Sequence, residues 1–296
     1  MMGAARLLGS LADLPFVLGA VVCFSLAPVL ARLAQPFTPW QIASFRTLVG
    51  AAIIGGLVKM GGGRLRLSNG ELRVVIPMGI LAGATFVLFF VALHYGSIAL
   101  CLTLSYLSPV FIALGMRLFF KEPVGAFYYW GMALVLTGIG ILTGFAPDLT
   151  RQVLLAGVLA VLSGACWSCY SILGGRVGNQ TPLPAMAFWV YLIAGLCAAP
   201  VGLREEIRIL SVYQIGAVIL LGAIPLVVGQ TLYLAAIRKM HPARANAVCS
   251  LEVVGGSFFG WLALNEALAA NAIIGASLVQ LGVVCVLWDN SPRKCG

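Results

Sequence analysis

Two charged side chains, Arg46 and Glu252, stand inside long apolar runs of the sequence. If such runs cross a bilayer, a carboxylate at mid-depth costs about 2.5–3.5 kcal/mol on insertion scales, so Glu252 is expected to face a cavity or a partner. Glu252 either contacts a substrate ammonium or accepts a proton, or it bends its helix while bonded to neighbouring backbone or hydroxyl groups. Arg46 keeps its proton and must be paired, hydrated or extended towards an interface. It either binds a substrate carboxylate or, as the favoured reading, pairs structurally with carbonyls or another span.

Aromatic, hydroxyl and amide side chains form a second group within the same runs. Polar groups at span centres face the interior of a helix bundle rather than lipid. Several of them precede Pro109, which frees a carbonyl and kinks a helix. The sequence therefore predicts a central cavity lined by Phe24, Ser25, Thr85, Ser105, Tyr106, Ser108, Trp167, Ser168, Gln230, Ser250 and Glu252. Ordinary hydrogen bonding between helices is the alternative explanation for part of this group.

The composition decides the environment of these residues. The chain is 61% hydrophobic and only 9% charged, and its mean hydropathy is +1.04. Soluble domains are about 25% charged, so the composition predicts an integral membrane protein. The apolar runs do not alternate with polar residues, which favours helices. We predict ten transmembrane helices, near 14–33, 39–59, 74–93, 97–118, 124–145, 153–173, 183–203, 213–236, 243–263 and 267–288.

The net charge of +9 comes from basic residues scattered in short loops, so a nucleic-acid partner is not expected. With the N-terminus inside, thirteen of the 18 basic residues fall at cytoplasmic ends. This predicts a multi-pass protein of the cell's inner membrane with both termini cytoplasmic. Seven of the eight cysteines lie in apolar runs, where cysteine acts as a small hydrophobe. Neither a metal nor another cofactor is predicted.

An internal repeat divides the chain. Residues 88–122 align without a gap on residues 232–266, an offset of 144, and both copies end in glutamate, Glu122 and Glu266. Earlier pairs, such as Pro39 with Pro182, are offset by 143. One inserted residue between the second and third spans accounts for the change.

A repeat in a hydrophobic chain is typical of transporters built from two halves. We predict one half over residues 1–146 and the other over 147–296. Since five spans are an odd number, the second half should be inverted relative to the first. The fold class is then all-α, with two inverted five-helix repeats around a central cavity.

The chain contains the short motifs Phe24-Ser25, Trp167-Ser168, Ser44–Arg46, Ser105–Val110 with Lys121-Glu122, and Ser250–Val253 with Asn265-Glu266. These motifs resemble the drug/metabolite transporter superfamily, in its ten-span EamA type, which includes YddG-like amino-acid and metabolite exporters. The resemblance covers nearly the whole chain. Val253 stands where the family usually has proline, so the resemblance does not carry a proline kink over to this span.

The resemblance implies a secondary transporter that exports amino acids or related small metabolites, with aromatic amino acids as the first expectation. No Walker motif points to direct use of ATP. Uptake of a vitamin, nucleoside-like molecule or sugar is the alternative within transport. An intramembrane enzyme would need a catalytic pair at one depth, which Glu252 lacks, and a channel would show flux without saturation. The expected partners are a small-molecule substrate and the lipid bilayer. The sequence does not determine the oligomeric state, and it is consistent with a monomer.

Overall fold

The structure is a computed structural model that describes residues 14–120, 125–142, 150–177, 181–206, 211–239, 242–265 and 270–287. The predicted boundary between the halves at 146/147, the glutamates at 122 and 266 and both termini lie outside these residues. Every regular element of the described residues is a helix: α1 Leu14–Ser25, α2 Ala27–Leu33, α3 Pro39–Met60, α4 Asn69–Tyr95, α5 Ile98–Ser105, α6 Ser108–Phe120, α7 Ala126–Leu142, α8 Arg151–Arg176, α9 Leu183–Gly202, α10 Val212–Leu221, a π-helical segment π1 Gly222–Gln230, α11 Thr231–Lys239, α12 Pro242–Cys249, α13 Glu252–Leu264 and α14 Ala270–Leu287.

The helices are apolar enough for an all-helical membrane protein, as the composition predicts. Among the described residues, six stretches have both the length and the composition to cross a bilayer: Leu14–Leu33, Pro39–Met60, Asn69–Tyr95, Arg151–Arg176, Leu183–Gly202 and Val212–Lys239. The remaining apolar helices are shorter. Helices occur in each of the ten predicted segments, which we number 1 to 10 in chain order, but the count of ten crossings stays a prediction.

Segments 3 and 8 begin with the same capping motif. In the first, the backbone N–H of Ser68 donates to Glu71 Oε2 at 2.7 Å, and the Ser68 hydroxyl accepts from the Glu71 N–H. In the second, the N–H of Ser211 donates to Gln214 Oε1 at 2.8 Å. Both are capping boxes, which satisfy the free N–H groups of a first helical turn. The two serines are 143 positions apart. The offset between the repeats is therefore still 143 where these helices start, and it becomes 144 only further along the chain.

The additional residue of the second half therefore lies inside segment 8, and its predicted position between the second and third spans is wrong. From the capping serine to the matching alanine, Ala92 or Ala236, segment 8 is one residue longer than segment 3. Segment 3 is an unbroken α-helix, whereas segment 8 contains π1 in its middle. A π-helical stretch takes up an inserted residue without ending the helix, which explains the difference.

Helix packing follows the repeat. Segments 2 and 7 pack against each other, and so do 5 and 10, and 4 and 9. Segment 3 packs on segment 6, and segment 8 packs on segment 1. We call segments or residues that occupy the same position in the two repeats mates, so that segments 1 to 5 are the mates of segments 6 to 10. The contacts of each half are thus repeated by the mates in the other half. Two glycines of π1 permit close approaches of neighbouring helices. A Cβ at Gly222 would lie 2.8 Å from the Arg46 carbonyl oxygen, and one at Gly229 would lie 2.8 Å from Cys23 Cβ.

Segments 4 and 9 are both broken near their middle. The turn between α5 and α6 is at Tyr106–Leu107, and that between α12 and α13 is at Ser250–Leu251, 144 positions later. Pro109 follows the first turn and is buried, as expected for a kink. The second turn forms without the proline, with Val253 fully buried at the matching position. These two turns meet at the centre of the bundle because α5 packs on α13.

Candidate functional site

A cavity lies between the two halves, at the level of the broken segments. Its unfilled space is about 640 Å³, with the open part of its mouth included. Its walls come from both halves: Phe24, Ala27, Arg46, Thr85, Phe86, Phe89, Phe90, Leu102, Ser105, Tyr106 and Ser108 from the first, and Ser163, Gly164, Trp167, Pro225, Gln230 and Glu252 from the second.

Glu252 is the negative charge of this cavity. It is the first residue of α13 and only 7% exposed. The start of a helix carries partial positive charge, which favours a carboxylate there. The hydroxyl of Tyr106, at the opposing break, donates to Glu252 Oε2. The two breaks thus bring a phenol and a carboxylate from different halves together at one wall of the cavity.

Arg46 is the positive charge, on α3, and is 5% exposed. Its guanidinium carbon lies 4.2 Å from the ring centroid of Phe86 and 4.9 Å from that of Phe90, both on α4. Such cation–π contacts stabilise a cation in an apolar setting by about 0.5–2 kcal/mol. Among the described residues the Arg46 Nε–H has no hydrogen-bond partner. The contact with another span is therefore to aromatic faces, and no carbonyl of the described residues accepts from the guanidinium.

A buried polar network forms the floor of the cavity, and Asn246 of α12 is its centre. Asn246 Oδ1 accepts from Trp167 Nε1 at 2.6 Å and from the Ser108 hydroxyl at 3.2 Å. Its Nδ2 donates to the hydroxyls of Ser171 at 3.1 Å and Tyr233 at 2.5 Å. Donors and acceptors of the amide are thus all used, so the network holds segments 4, 6, 8 and 9 together.

Aromatic stacking completes the floor. The Trp167 ring stacks on Tyr170 with centroids 5.2 Å apart and lies 4.9 Å from Tyr233. The rings of Phe24 and Trp167 are nearly perpendicular, with their centroids 6.3 Å apart. Gln230 Nε2, the last position of π1, donates to the Tyr170 hydroxyl at 3.0 Å. Tyr170 and Tyr233 are fully buried, so the bundle is closed at this level.

The structure brings most of the predicted site residues to this cavity. Nine line it: Phe24, Arg46, Thr85, Ser105, Tyr106, Ser108, Trp167, Gln230 and Glu252. Three predicted residues, Ser25, Ser168 and Ser250, do not line it. Ser25 donates to Val21 O of its own helix, Ser168 donates to Ser108 O, and Ser250 donates to Gln280 Oε1. These three hydroxyls therefore form hydrogen bonds within a helix or between helices, although their neighbours in the sequence line the cavity.

Three residues that matter to the geometry are missing from the sequence-based site. Phe86 and Phe90 are one helical turn apart on α4, a spacing that indicates a common face but not which neighbour it meets. Asn246 is an amide inside an apolar segment, and its polarity was the available signal.

Residues 13–144 and 154–288 each match the EamA-like transporter family. The threonine/homoserine exporter RhtA of Escherichia coli K12 is 26% identical over 288 residues, covering 91% of this chain and 93% of its own. The pseudopaline exporter CntI of Pseudomonas aeruginosa is 22% identical over 271 residues, with the same coverage. One solved structure superposes with a TM-score of 0.73 at 17% identity over 93% of this chain and 96% of its own, a likeness of fold.

Both halves of the chain match one family, and the matches leave few residues outside them. The helical fold, the cavity between the halves and the kinship with two exporters agree with that match. The chain belongs to the EamA-like transporter family, within the drug/metabolite transporter superfamily.

Proposed function

We propose that the protein is a secondary transporter that exports amino acids or related small metabolites by alternating access, with the cavity between its halves as the substrate site. The observation that carries the proposal is the position of this cavity. It lies at mid-bundle, draws its walls from both repeats and contains one buried charge of each sign. Transporters built from repeats bind substrate at such an interface, next to broken helices.

The closed floor supports alternating access. Arg46 and Phe90 lie within about two turns of the helix ends at Pro39 and Tyr95, so the cavity extends towards that end of the bundle. The network around Asn246 closes the other end. With the predicted orientation, the closed end faces the cytoplasm and the open end faces outwards. Export then requires the network to open, so that substrate enters from the cytoplasm.

The choice of substrate rests on two supports. The relatives are named as exporters of threonine and homoserine and of pseudopaline. The cavity wall presents aromatic faces, from Phe24, Phe89 and Trp167 among others. Aromatic rings favour stacking with an aromatic or apolar substrate group. Aromatic amino acids are therefore the first substrates to test, followed by threonine and homoserine.

Counterflow in proteoliposomes is the test. Purified protein is reconstituted with an unlabelled compound inside and the labelled compound outside, with a panel of amino acids, sugars and nucleosides. We expect labelled amino acids to accumulate transiently and saturably, and sugars and nucleosides to remain at the level of empty vesicles. Accumulation of sugars or nucleosides alone, or flux without saturation, would contradict the proposal.

Variants of the cavity tie the activity to the site. Glu252→Gln and Trp167→Ala should each lower counterflow by about tenfold or more while expression and folding are retained. Trp261→Ala is the matched control for Trp167→Ala, because that tryptophan is on α13, nine residues after Glu252, but its side chain is 49% exposed and does not line the cavity. If both cavity variants transport like the parent, the site assignment is wrong.

A further inference from the structure

We propose that Arg46 and Glu252 together recognise the two charged ends of a zwitterionic α-amino acid, the guanidinium holding its carboxylate and the Glu252 carboxylate holding its ammonium. This rests on the proposed function and narrows it to a substrate class. The cavity would select molecules that carry both charges, rather than amino-acid derivatives that have lost one of them.

Arg46 has donors to offer. Phe86 and Phe90 cover its guanidinium at 4.2 and 4.9 Å, and rings in such positions interact with the charge without using its N–H groups. The described residues supply no acceptor for its buried Nε–H. A guanidinium presents its donors as a planar fork that matches the two oxygens of a carboxylate. Arg46 lines the cavity, so a carboxylate bound there is the partner that suits the guanidinium.

Glu252 has an acceptor to offer. Its Oε2 accepts from Tyr106, and no hydrogen bond within the described residues uses its other oxygen. An ammonium group has three donors and no acceptor, and so suits a carboxylate oxygen and nearby hydroxyls. Ser105 and Ser108, on either side of Tyr106, also line the cavity. The hydroxyls of Ser105, Tyr106 and Ser108 donate to other groups, so their oxygens keep lone pairs that can accept from an ammonium.

The two charges are not used up by each other. No ion pair within 4.0 Å joins Arg46 and Glu252 among the described residues, although their charges attract each other across the cavity. Two opposite charges kept apart in an apolar site favour a ligand that is neutral overall but has a positive and a negative end. A ligand with one charge would leave the other side chain buried without a partner, which is costly.

Competition in counterflow tests the inference directly. Labelled L-phenylalanine and L-threonine are each competed with the unlabelled amino acid, its α-amide, which lacks the carboxylate, and its N-acetyl derivative, which lacks the ammonium. In the parent we expect both derivatives to compete about 100-fold more weakly than the zwitterion, since a site with dedicated polar partners rejects ligands that leave them unpaired. Equal competition by all three compounds would overturn the inference even without a variant.

The variants should give a crossed pattern. Arg46→Gln should abolish the preference for amino acid over amide while the preference over the N-acetyl compound remains, and Glu252→Gln should do the reverse. Arg46→Lys should keep a reduced preference over the amide. The controls are Arg238→Gln, whose guanidinium donates to Thr181 O, and Glu205→Gln, whose carboxylate accepts from Thr38. Both lose a charge outside the cavity and should leave all ratios unchanged.

A purely structural role of either charge predicts something else. Variants would then lower transport of every compound by the same factor, and this uniform loss would overturn the inference. If a variant is too unstable to reconstitute, the parent's own preference in thermal stabilisation by the three compounds still decides the question. A parent that transports no amino acid would refute the proposed function as well, whereas amino-acid transport without the preference refutes only the zwitterion site.

Discussion

The first and second halves of the chain have the same arrangement of helices but different functional side chains at matching positions. Both have a segment broken at the same repeat position, 144 residues apart. After the first break stands Ser108, whose hydroxyl donates to Asn246, and after the second stands its mate Glu252. The mate of Arg46 is Trp189, whose Nε1 donates to the carbonyl of Leu65, away from the cavity. Each charge thus occurs in only one half.

These different side chains at matching positions explain how two symmetric repeats can bind an asymmetric ligand. Duplicated helices supply the paired breaks and the interface between the halves. Positions where the copies disagree then supply one cation, one anion and different hydrogen-bonding groups. A cavity whose two walls were identical would present equal groups to both ends of a substrate. The disagreements between mates are therefore the places where function is expected, and exchanging mates tests this.

The largest effect should come from removing the extra residue of segment 8. Deleting Val228, which is 47% exposed in π1, makes segment 8 as long as segment 3. Removing one residue rotates the part of the helix after the deletion by about 100° relative to the part before it. Gln230 and Tyr233 would then point away from their hydrogen-bond partners. We expect counterflow to disappear and thermal stability to fall. The control Val228→Ala keeps the length and should transport normally; a deletion that does so too would show that π1 is dispensable.

Asn246→Leu gives the next largest effect. The mate of Asn246 in the first half is Leu102, so this change makes the halves alike at the floor. The half-buried Trp167 Nε1 and the fully buried Tyr233 hydroxyl each lose a hydrogen-bond partner, at a cost of about 1–3 kcal/mol each. Thermal unfolding in detergent should show a clear loss of stability. Ser277→Ala is the control, since that exposed hydroxyl bonds only within its own helix; an equal, small loss in both variants would contradict the network.

The comparison of halves also shows how far sequence reasoning reaches. The apolar runs predict the helices, and the repeat together with Pro109 predicts the break in segment 4. The break at Ser250–Leu251 follows from the repeat but not from residue type, because Val253 has no kinking effect of its own. The π-helix becomes predictable only once the capping boxes at Ser68 and Ser211 are seen to share one offset.

Side-chain partners are the part that the sequence could not supply. The depth of Arg46 follows from its distance to Pro39, but its contact with Phe86 and Phe90 depends on how α4 is rotated against α3. Apolar helices leave that rotation undetermined, because every face is hydrophobic and periodicity gives no direction. For the same reason Ser25 and Ser168 were expected at the cavity and instead bond to backbone carbonyls.

A smaller and opposite effect on stability is expected at Glu252. Its carboxylate is buried with one phenolic donor, and burying a charge is unfavourable even when it is hydrogen-bonded. Glu252→Ser, which copies the mate Ser108, should therefore leave the melting temperature equal or raised while counterflow falls by about tenfold or more. Measuring both on one preparation separates the roles. A drop in stability that matches the loss of transport would make Glu252 a structural residue.

The smallest effects should come from Ser25 and Ser168, which occupy matching positions in the two halves and do not line the cavity between them. Ser25 donates only to Val21 O of its own helix, at 2.8 Å, whereas Ser168 donates both to Gly164 O in its helix and to Ser108 O in segment 4. Hydrogen bonds between membrane helices contribute about 0.6 kcal/mol on average, so Ser168→Ala should destabilise slightly and Ser25→Ala hardly at all. Counterflow should be unchanged in both, because neither hydroxyl reaches the substrate. A severalfold loss of transport in Ser25→Ala, with folding intact, would show that the cavity extends to this side of segment 1 in another conformation of the transport cycle.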